Sequence, residues 1–242
     1  MGFGRFRILV AAVLAVSFGA LAPYAASAAE KQFVITGGGN FSTLAGDAEE
    51  AGDLIADELE IVFPGTSWGS STKTRTGFDL GAEVVIPIST AFALQPGLHY
   101  SQRGGKWEFS ENSGTGVNAD GTVKMNYIEA PLLLRVGPPT DSNVKVFFNL
   151  GPVVGFRVAS TFDVEASNGG EDSDDLDDAT NSVNFGAQGG VGLDIGMGPT
   201  SSIVVQTRYH LGFTNIFDDE AFSVKHSDAM IQAGFAKKFG GP

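Results

Sequence analysis

Residues 183–197 alternate between apolar side chains and small or polar ones with a period of two. The apolar set is Val183, Phe185, Ala187, Val191, Leu193, Ile195 and Met197, and the other set is Asn184, Gly186, Gln188, Gly190, Gly192, Asp194 and Gly196. Successive side chains of a β-strand point to opposite sides of the sheet, so this pattern predicts one long strand. Because the second face is small and polar throughout, the strand is typical of a wall between lipid and a narrow wet interior.

Seven further segments show the same alternation: residues 33–43, 76–88, 91–103, 124–136, 144–159, 203–213 and 229–239. Short turns at residues 89–90, 137–143 and 198–202 alternate with long loops at residues 45–73, 104–122, 162–181 and 215–224. Short turns on one side and long loops on the other are typical of bacterial outer-membrane barrels. We therefore predict an all-β fold, an eight-stranded antiparallel up-and-down transmembrane β-barrel. Its two termini lie on the short-turn side, which is the periplasmic side.

The N-terminus predicts export from the cytoplasm. Arg5 and Arg7 precede an apolar run, and small residues at 26–28 form an A-x-A site, which together indicate a cleaved signal peptide over residues 1–28 and a barrel domain over residues 29–242. The absence of cysteine excludes disulfides and zinc-thiolate sites. The net charge of −13 argues against nucleic acid as a partner, because Lys and Arg provide phosphate affinity.

Two of the long loops have distinctive sequences. Residues 47–60 place Leu54, Ile55 and Leu59 at helical spacing among carboxylates, which predicts a short helix in the first long loop. Its apolar stripe either folds onto its own loop or meets the barrel mouth, lipopolysaccharide or a partner. Residues 171–178, EDSDDLDD, form a like-charge block that we interpret as a solvated tip. Calcium binding is the alternative there, although the spacing of a built calcium loop is absent. No metal or cofactor site is predicted.

Four segments carry a resemblance to a known family. Residues 126–135, NYIEAPLLLR, and 98–105, LHYSQRGG, resemble elements of the PorT-like outer-membrane β-barrel family, and residues 151–155 and 208–216 are similar to two more. The matching positions are Tyr127, Glu129, Pro131, Tyr100, Ser101, Gly151, Pro152, Tyr209 and Asn215. The resemblance implies a small outer-membrane barrel in a family mostly without assigned biochemistry, one member of which serves type IX protein secretion.

The faces predicted to line the lumen carry charges of both signs. The acids are Asp79, Glu83, Glu129 and Asp194, and the bases are Arg103, Arg135, Arg157 and Arg208, with His99 and His210 nearby. An eight-stranded barrel has an interior only wide enough for side chains, so these groups are expected to pair into an ion-pair network that plugs it. The alternative is a gate or narrow ion path in which Glu83 or Glu129 exchanges arginine partners.

The favoured function is a non-enzymatic barrel in envelope structure, surface interaction or assembly and secretion support. Its partners are outer-membrane lipid, lipopolysaccharide and the barrel-assembly machinery during insertion. A narrow porin-like channel is the alternative from a different class. The His99 and Ser101 pair raises a third reading, a lipid A-modifying esterase, but both side chains are predicted to face away from acyl chains. A soluble lipocalin-type barrel is the rival fold; glycines and opposite charges on one shared face favour lipid outside.

Overall fold

A computed structural model describes residues 30–62, 64–114, 118–140, 142–167, 169–177, 179–218 and 223–240. The predicted signal peptide at residues 1–28 lies outside the described residues. The elements in chain order are β1 (Lys31–Gly46), α1 (Ala48–Val62), β2 (Trp68–Lys73), β3 (Arg75–Pro87), β4 (Phe92–Glu111), β5 (Asn118–Val136), β6 (Val144–Ala166), β7 (Glu171–Asp175), β8 (Val183–Gly196), β9 (Ser201–Gly212) and β10 (Val224–Phe239).

Eight of the strands close into an antiparallel ring, in the order β1, β3, β4, β5, β6, β8, β9 and β10. β1 pairs with β3 on one side and with β10 on the other, and the register of the closing pair runs from Lys31 opposite Phe239 to Gly46 opposite Val224. A closed ring leaves none of these strands with an unpaired edge inside the lipid, where unsatisfied backbone groups are costly. The predicted all-β barrel with one short helix is confirmed.

The two faces of the ring differ as the alternation predicts. The outer wall exposes large apolar side chains, among them Phe33, Ile35, Phe78, Leu80, Leu98, Leu132, Phe148, Leu150, Phe185, Ile203, Leu211, Ile231 and Phe235. The inner wall buries polar ones, among them Thr36, Asn40, Gln95, Asn149, Gln188, Gln206 and Gln232. This polarity is that of a barrel in lipid and the reverse of a soluble carrier. No helix among the described residues is long and apolar enough to cross a membrane.

The connections differ from the prediction at the long-loop end. The residues assigned to loops at 104–122 and 162–181 are largely strand, since β4 continues to Glu111, β5 begins at Asn118 and β6 continues to Ala166. These extensions, with the short strands β2 and β7, form one sheet in the order β2, β4, β5, β6, β7 beyond the apolar belt. The inner face of these extensions carries Trp107, Phe109 and Val123, which are buried and need an apolar cover.

Helix α1 supplies that cover. Ala48 and Ala56 are buried in one apolar cluster with Trp107, Phe109 and Met125. Trp107 donates its indole N–H to the backbone oxygen of Ala48 at 2.8 Å. The predicted stripe is wrong at Leu54, which is 48% exposed, because the small residues of the helix face the barrel and permit a close approach. The helix therefore lies over the mouth of the barrel and against its own sheet.

Glycines on the inner wall make room for large side chains on neighbouring strands. A Cβ on Gly81 would overlap the imidazole of His99, and one on Gly192 would overlap the ring of Phe147. Gly39 lies on the outer wall instead, where its Cβ would be at an ordinary distance of 3.6 Å from Phe41. A glycine on one strand thus leaves the space that an aromatic ring on the neighbouring strand fills.

We predict that Gly81→Val destabilises the barrel by about 2 kcal/mol or more, because the new side chain must displace His99 in a filled interior. The control, Gly39→Val, adds the same side chain on the outer wall, where space is available, and should change stability much less. The measurement is the temperature at which the folded, faster-migrating band is lost on SDS gels. Equal losses for the two variants would contradict the packing argument.

Candidate functional site

The middle of the lumen is organised around Glu83. Its carboxylate receives both terminal nitrogens of Arg208, at 2.7 and 2.8 Å, in a fork-to-fork arrangement. Gln95 also donates to it at 2.7 Å. These side chains come from β3, β9 and β4, so the cluster spans the interior of the barrel. A bidentate arginine pair fixes geometry as well as charge, and here it compensates a fully buried carboxylate.

His99 joins Glu83 to a second carboxylate. Its Nδ1 lies 2.8 Å from Asp79 and its Nε2 lies 3.1 Å from Glu83. An imidazole satisfies two carboxylates in this way when both nitrogens carry protons. Asp79 also accepts from Gln232, which in turn accepts from Gln206 at 2.9 Å. The network therefore runs laterally from His99 on β4 through Asp79 on β3 to β10 and β9.

A second cluster lies toward the long-loop end and centres on Arg103. Its guanidinium contacts Glu129 at 2.7 Å and Asp228 at 3.1 Å, and all three side chains are buried. Nearby, Asn40 donates to the hydroxyl of Ser101 at 3.2 Å. One cation thus bridges two carboxylates from β5 and β10, so removal of Arg103 would leave two buried negative charges uncompensated.

A third pair lies at the short-turn end. Arg135 donates to Asp194 at 3.0 Å, and its guanidinium carbon lies 3.6 Å from the centre of the Phe147 ring. This pair lines an open cavity of about 290 Å³, which Lys145 and Lys238 also line. The lumen is therefore accessible from this end as far as Arg135.

The opposite end of the lumen is closed by apolar side chains. Above Arg103, Tyr127 shares a hydrogen bond of 3.1 Å with His226, and the two rings meet edge to face. Met125, Trp107 and Ile216 follow in the cluster that α1 covers. Polar pairs and an apolar cap thus occupy successive levels of the same interior.

Arg157 differs from the sequence prediction, because it is not part of these clusters. It pairs with Asp177 and donates to the backbone oxygens of Asp177 at 2.7 Å and Thr180 at 3.1 Å. The reason is its level: Tyr127, the residue opposite Arg157 on β5, already lies at the top of the polar lumen. Arg157 therefore ties the segment between β7 and β8 to the barrel rim.

The residues of the family resemblance fall in several environments. Tyr127, Glu129, Pro131 and Ser101 are on the inner wall, whereas Tyr100, Pro152 and Tyr209 are on the outer wall. Gly151 lies so close to the backbone of Leu132 that a Cβ would overlap it. Asn215 accepts the backbone N–H of Val224 at 3.0 Å in the last long loop.

The His99 and Ser101 pair lacks the geometry of a nucleophile and its base. Both nitrogens of His99 contact carboxylates, and the hydrogen bond given above to the Ser101 hydroxyl comes from Asn40. The acidic stretch at 171–178 forms β7 over Glu171–Asp175. Within the part of the chain that the structure describes, no three His, Asp or Glu side chains are grouped to hold a metal ion.

The sequence analysis missed Asp228, which contacts Arg103, and His226, which contacts Tyr127 just above it. The predicted final strand begins at residue 229, whereas β10 begins at Val224. The signal was present, since Val224, His226, Asp228 and Met230 share the inner face by the same period of two. Gln95, Gln206 and Gln232 were missed as linking residues, because neutral amides do not stand out as charges do.

Comparison with known proteins gives a family match and several similar solved structures. A family model described as the outer membrane protein beta-barrel domain matches residues 22–218. Ail, the attachment invasion locus protein of Yersinia pestis, is 16% identical over 86% of this chain and 99% of its own, with a TM-score of 0.39. Neisserial surface protein A is 13% identical over 86% and 97%, with a TM-score of 0.42. OprG from Pseudomonas aeruginosa is 14% identical over 86% and 95%, with a TM-score of 0.41.

No curated protein matches the sequence. The family match nevertheless extends over most of the chain and includes strands β1 to β9. This chain belongs to the outer membrane protein beta-barrel domain family.

Proposed function

We propose that this chain is a closed, non-enzymatic outer-membrane barrel that serves envelope structure, surface interaction or assembly and secretion support, and does not pass solutes. One observation carries the proposal: two different seals lie in series along one narrow lumen. The charged clusters of Glu83 and Arg103 fill the polar levels, and the apolar cluster under α1 fills the mouth. A solute would have to displace both.

The arrangement of the charges supports a structural role for the network. Arg103 and Arg208 each meet buried carboxylates from other strands, and these contacts join β3, β4, β5, β9 and β10 across the interior. Fixed pairs of this kind hold the shape of a barrel too narrow for an apolar core. Breaking them exposes an uncompensated charge, so the network resists rearrangement.

The alternative function is a narrow channel. The open cavity at the short-turn end, with Arg135 and Asp194 at its inner limit, is the observation that favours it. The buried Glu83 and Arg208 pair lies further inside and argues against continuity. A lipid A-modifying esterase has less support, because the base that Ser101 needs is engaged elsewhere.

The orientation that fits this proposal places the long-loop end outside the cell and both termini in the periplasm. Short turns face the periplasm and long loops the exterior in barrels of this class. Membership of the PorT-like branch is supported by the motif around Tyr127, Glu129 and Pro131. Lipid and lipopolysaccharide would surround the belt, and the barrel-assembly machinery would insert it.

The serial seals predict how conductance depends on sequence. In planar bilayers, the wild-type protein should show no reproducible conductance steps. Gly52→Leu, whose Cβ meets Trp107 at 2.6 Å, displaces α1 but leaves the polar levels filled. Arg103→Ala, Glu129→Ala, Glu83→Ala and Arg208→Ala together open both polar levels but leave the cap. Each of these two variants should remain silent, and only the five changes together should conduct. Steps from the wild-type protein would contradict the closed barrel.

The network predicts a non-additive effect on stability. Arg103→Met should lower the free energy of unfolding by about 3–5 kcal/mol, because Glu129 and Asp228 are left buried without a cation. Adding Glu129→Gln and Asp228→Asn should recover most of that loss. Lys238→Met, which removes a cation paired with Glu30 at the exposed surface, serves as the control and should cost about 1 kcal/mol or less. Urea unfolding in lipid vesicles provides the measurement.

The orientation is tested by labelling, since the chain has no native cysteine. Ser113→Cys lies at the long-loop end and Thr90→Cys lies in a short turn, and both positions are exposed. A membrane-impermeant maleimide should label Ser113→Cys on intact cells. Thr90→Cys should react only after the outer membrane is permeabilised. The reverse pattern would contradict the proposed orientation.

A further inference from the structure

The lumen ends in a charged recess at the short-turn end. The open cavity of about 290 Å³ described above adjoins a second one of about 350 Å³, and the two share part of their lining: Gln32, Thr140, Lys145, Asp194 and Lys238. They therefore form one recess, here named the short-turn recess. Its volume is near the lower end of the range for small-molecule sites, so it fits a small solute and not a polymer.

The floor of the recess is apolar. Buried, inward-facing side chains from β1, β3, β4, β6, β9 and β10 form a layer there: Val34, Val85, Ala93, Phe147, Val204 and Ala236. Val85, Ala93 and Phe147 belong to this layer and also line the cavity. The charged clusters of Glu83 and Arg103 lie deeper along the same strands. A molecule in the recess therefore meets an apolar surface beneath a charged wall.

Among the described residues, the wall of the recess carries three cations and two carboxylates: Arg135, Lys145, Lys238, Asp194 and Glu30. Arg135 pairs with Asp194 as given above, and Lys238 contacts Glu30 at 2.9 Å. Lys145 lies opposite Asp194 in the strand register, but it forms no ion pair within the part of the chain that the structure describes. One positive charge of the wall is therefore left over.

Arg135 supplies a hydrogen-bond donor that the described residues leave unused. Its Nη2 donates to Asp194, whereas its Nη1 has no hydrogen-bond partner among them, although the side chain is nine-tenths buried. A buried donor without an acceptor is costly. The ring of Phe147 packs against this guanidinium and holds it where the apolar floor meets the charged wall. The unused donor and the unpaired Lys145 both indicate that the recess accommodates an anionic acceptor.

We propose that the short-turn recess binds a small monocarboxylate with an apolar body. The carboxylate accepts from Arg135 and Lys145, and the apolar body lies against Val85, Ala93 and Phe147. Hydrogen bonds from cationic donors to a carboxylate are about twice as strong as those between neutral groups. A phosphate monoester fits less well, because its charge of about −1.5 to −2 exceeds the one positive charge left over. The recess lies outside the two seals, so binding requires no passage through the lumen.

The test is saturation-transfer NMR with hexanoate as the probe and the full-length mature protein in nanodiscs of zwitterionic lipid, which leave both ends of the barrel in water. Lys145→Gln combined with Lys238→Gln should weaken hexanoate binding about tenfold, because two of the three cations are lost. The matched control, Lys31→Gln with Lys237→Gln, removes the same charge from the same end of the barrel, but from outer-wall positions that do not line the recess. It should change binding by less than about twofold. Faster migration on unheated gels verifies that both variants are folded.

Comparison ligands identify the chemistry. Acetate, which lacks most of the apolar body, should bind at least about tenfold more weakly than hexanoate. Hexan-1-ol, which lacks the charge, should bind the wild-type protein and the Lys145 and Lys238 variant equally, and hexyl phosphate should bind no more tightly than hexanoate.

The proposal is overturned by any of four results: equal losses in the two double variants, acetate binding as tight as that of hexanoate, tighter binding of hexyl phosphate, or no hexanoate signal above that of empty nanodiscs. Conductance steps in planar bilayers would contradict the closed barrel but not this binding site, so the two failures are distinguishable.

Discussion

The narrow interior of an eight-stranded ring is the constraint on which the rest of this structure depends. Such a ring has room for side chains but not for an apolar core of ordinary size, so each inward position must fit and satisfy its neighbours. Glu83 illustrates the result, since Arg208, Gln95 and His99 approach it from two other strands. Large buried charges are tolerated only because their partners are fixed by the closed hydrogen-bond ring around them.

The same constraint explains the glycines and the cap. Gly81 and Gly192 are needed where His99 and Phe147 extend across the wall, so inner positions alternate between no side chain and a large one. At the long-loop end the strands continue beyond the lipid and the interior changes from polar to apolar. That change requires a cover, and α1 provides it with small residues such as Ala48 and Ala56. The narrow closed ring therefore explains both seals, the polar one within the lipid and the apolar one beyond it.

The sequence predicted the features that depend on period and failed on those that depend on tertiary pairing. Strand number, closure and the faces of Asp79, Glu129 and Asp194 follow from alternation, because a period of two assigns each side chain to a side. Arg157 has the inward period but pairs with Asp177, since the strand had already passed the polar levels. Leu54 has helical spacing but is exposed, since close packing against Trp107 selects the alanine and glycine face of α1. The two-residue period shows which face of a strand a side chain occupies. It does not show the height of that side chain along the barrel axis or its pairing partner.

The charged side chains of the inner wall and those of the outer wall differ in position and in role. Inside, Arg103 and Arg208 are neutralised by carboxylates of the same chain, so they contribute rigidity and no external field. Outside, Lys73 and Lys124 pair with Glu108 and Asp163 beyond the level where the apolar wall ends. A barrel whose lumen is full in its middle has its wall, its loops and the recess at its short-turn end with which to contact other molecules.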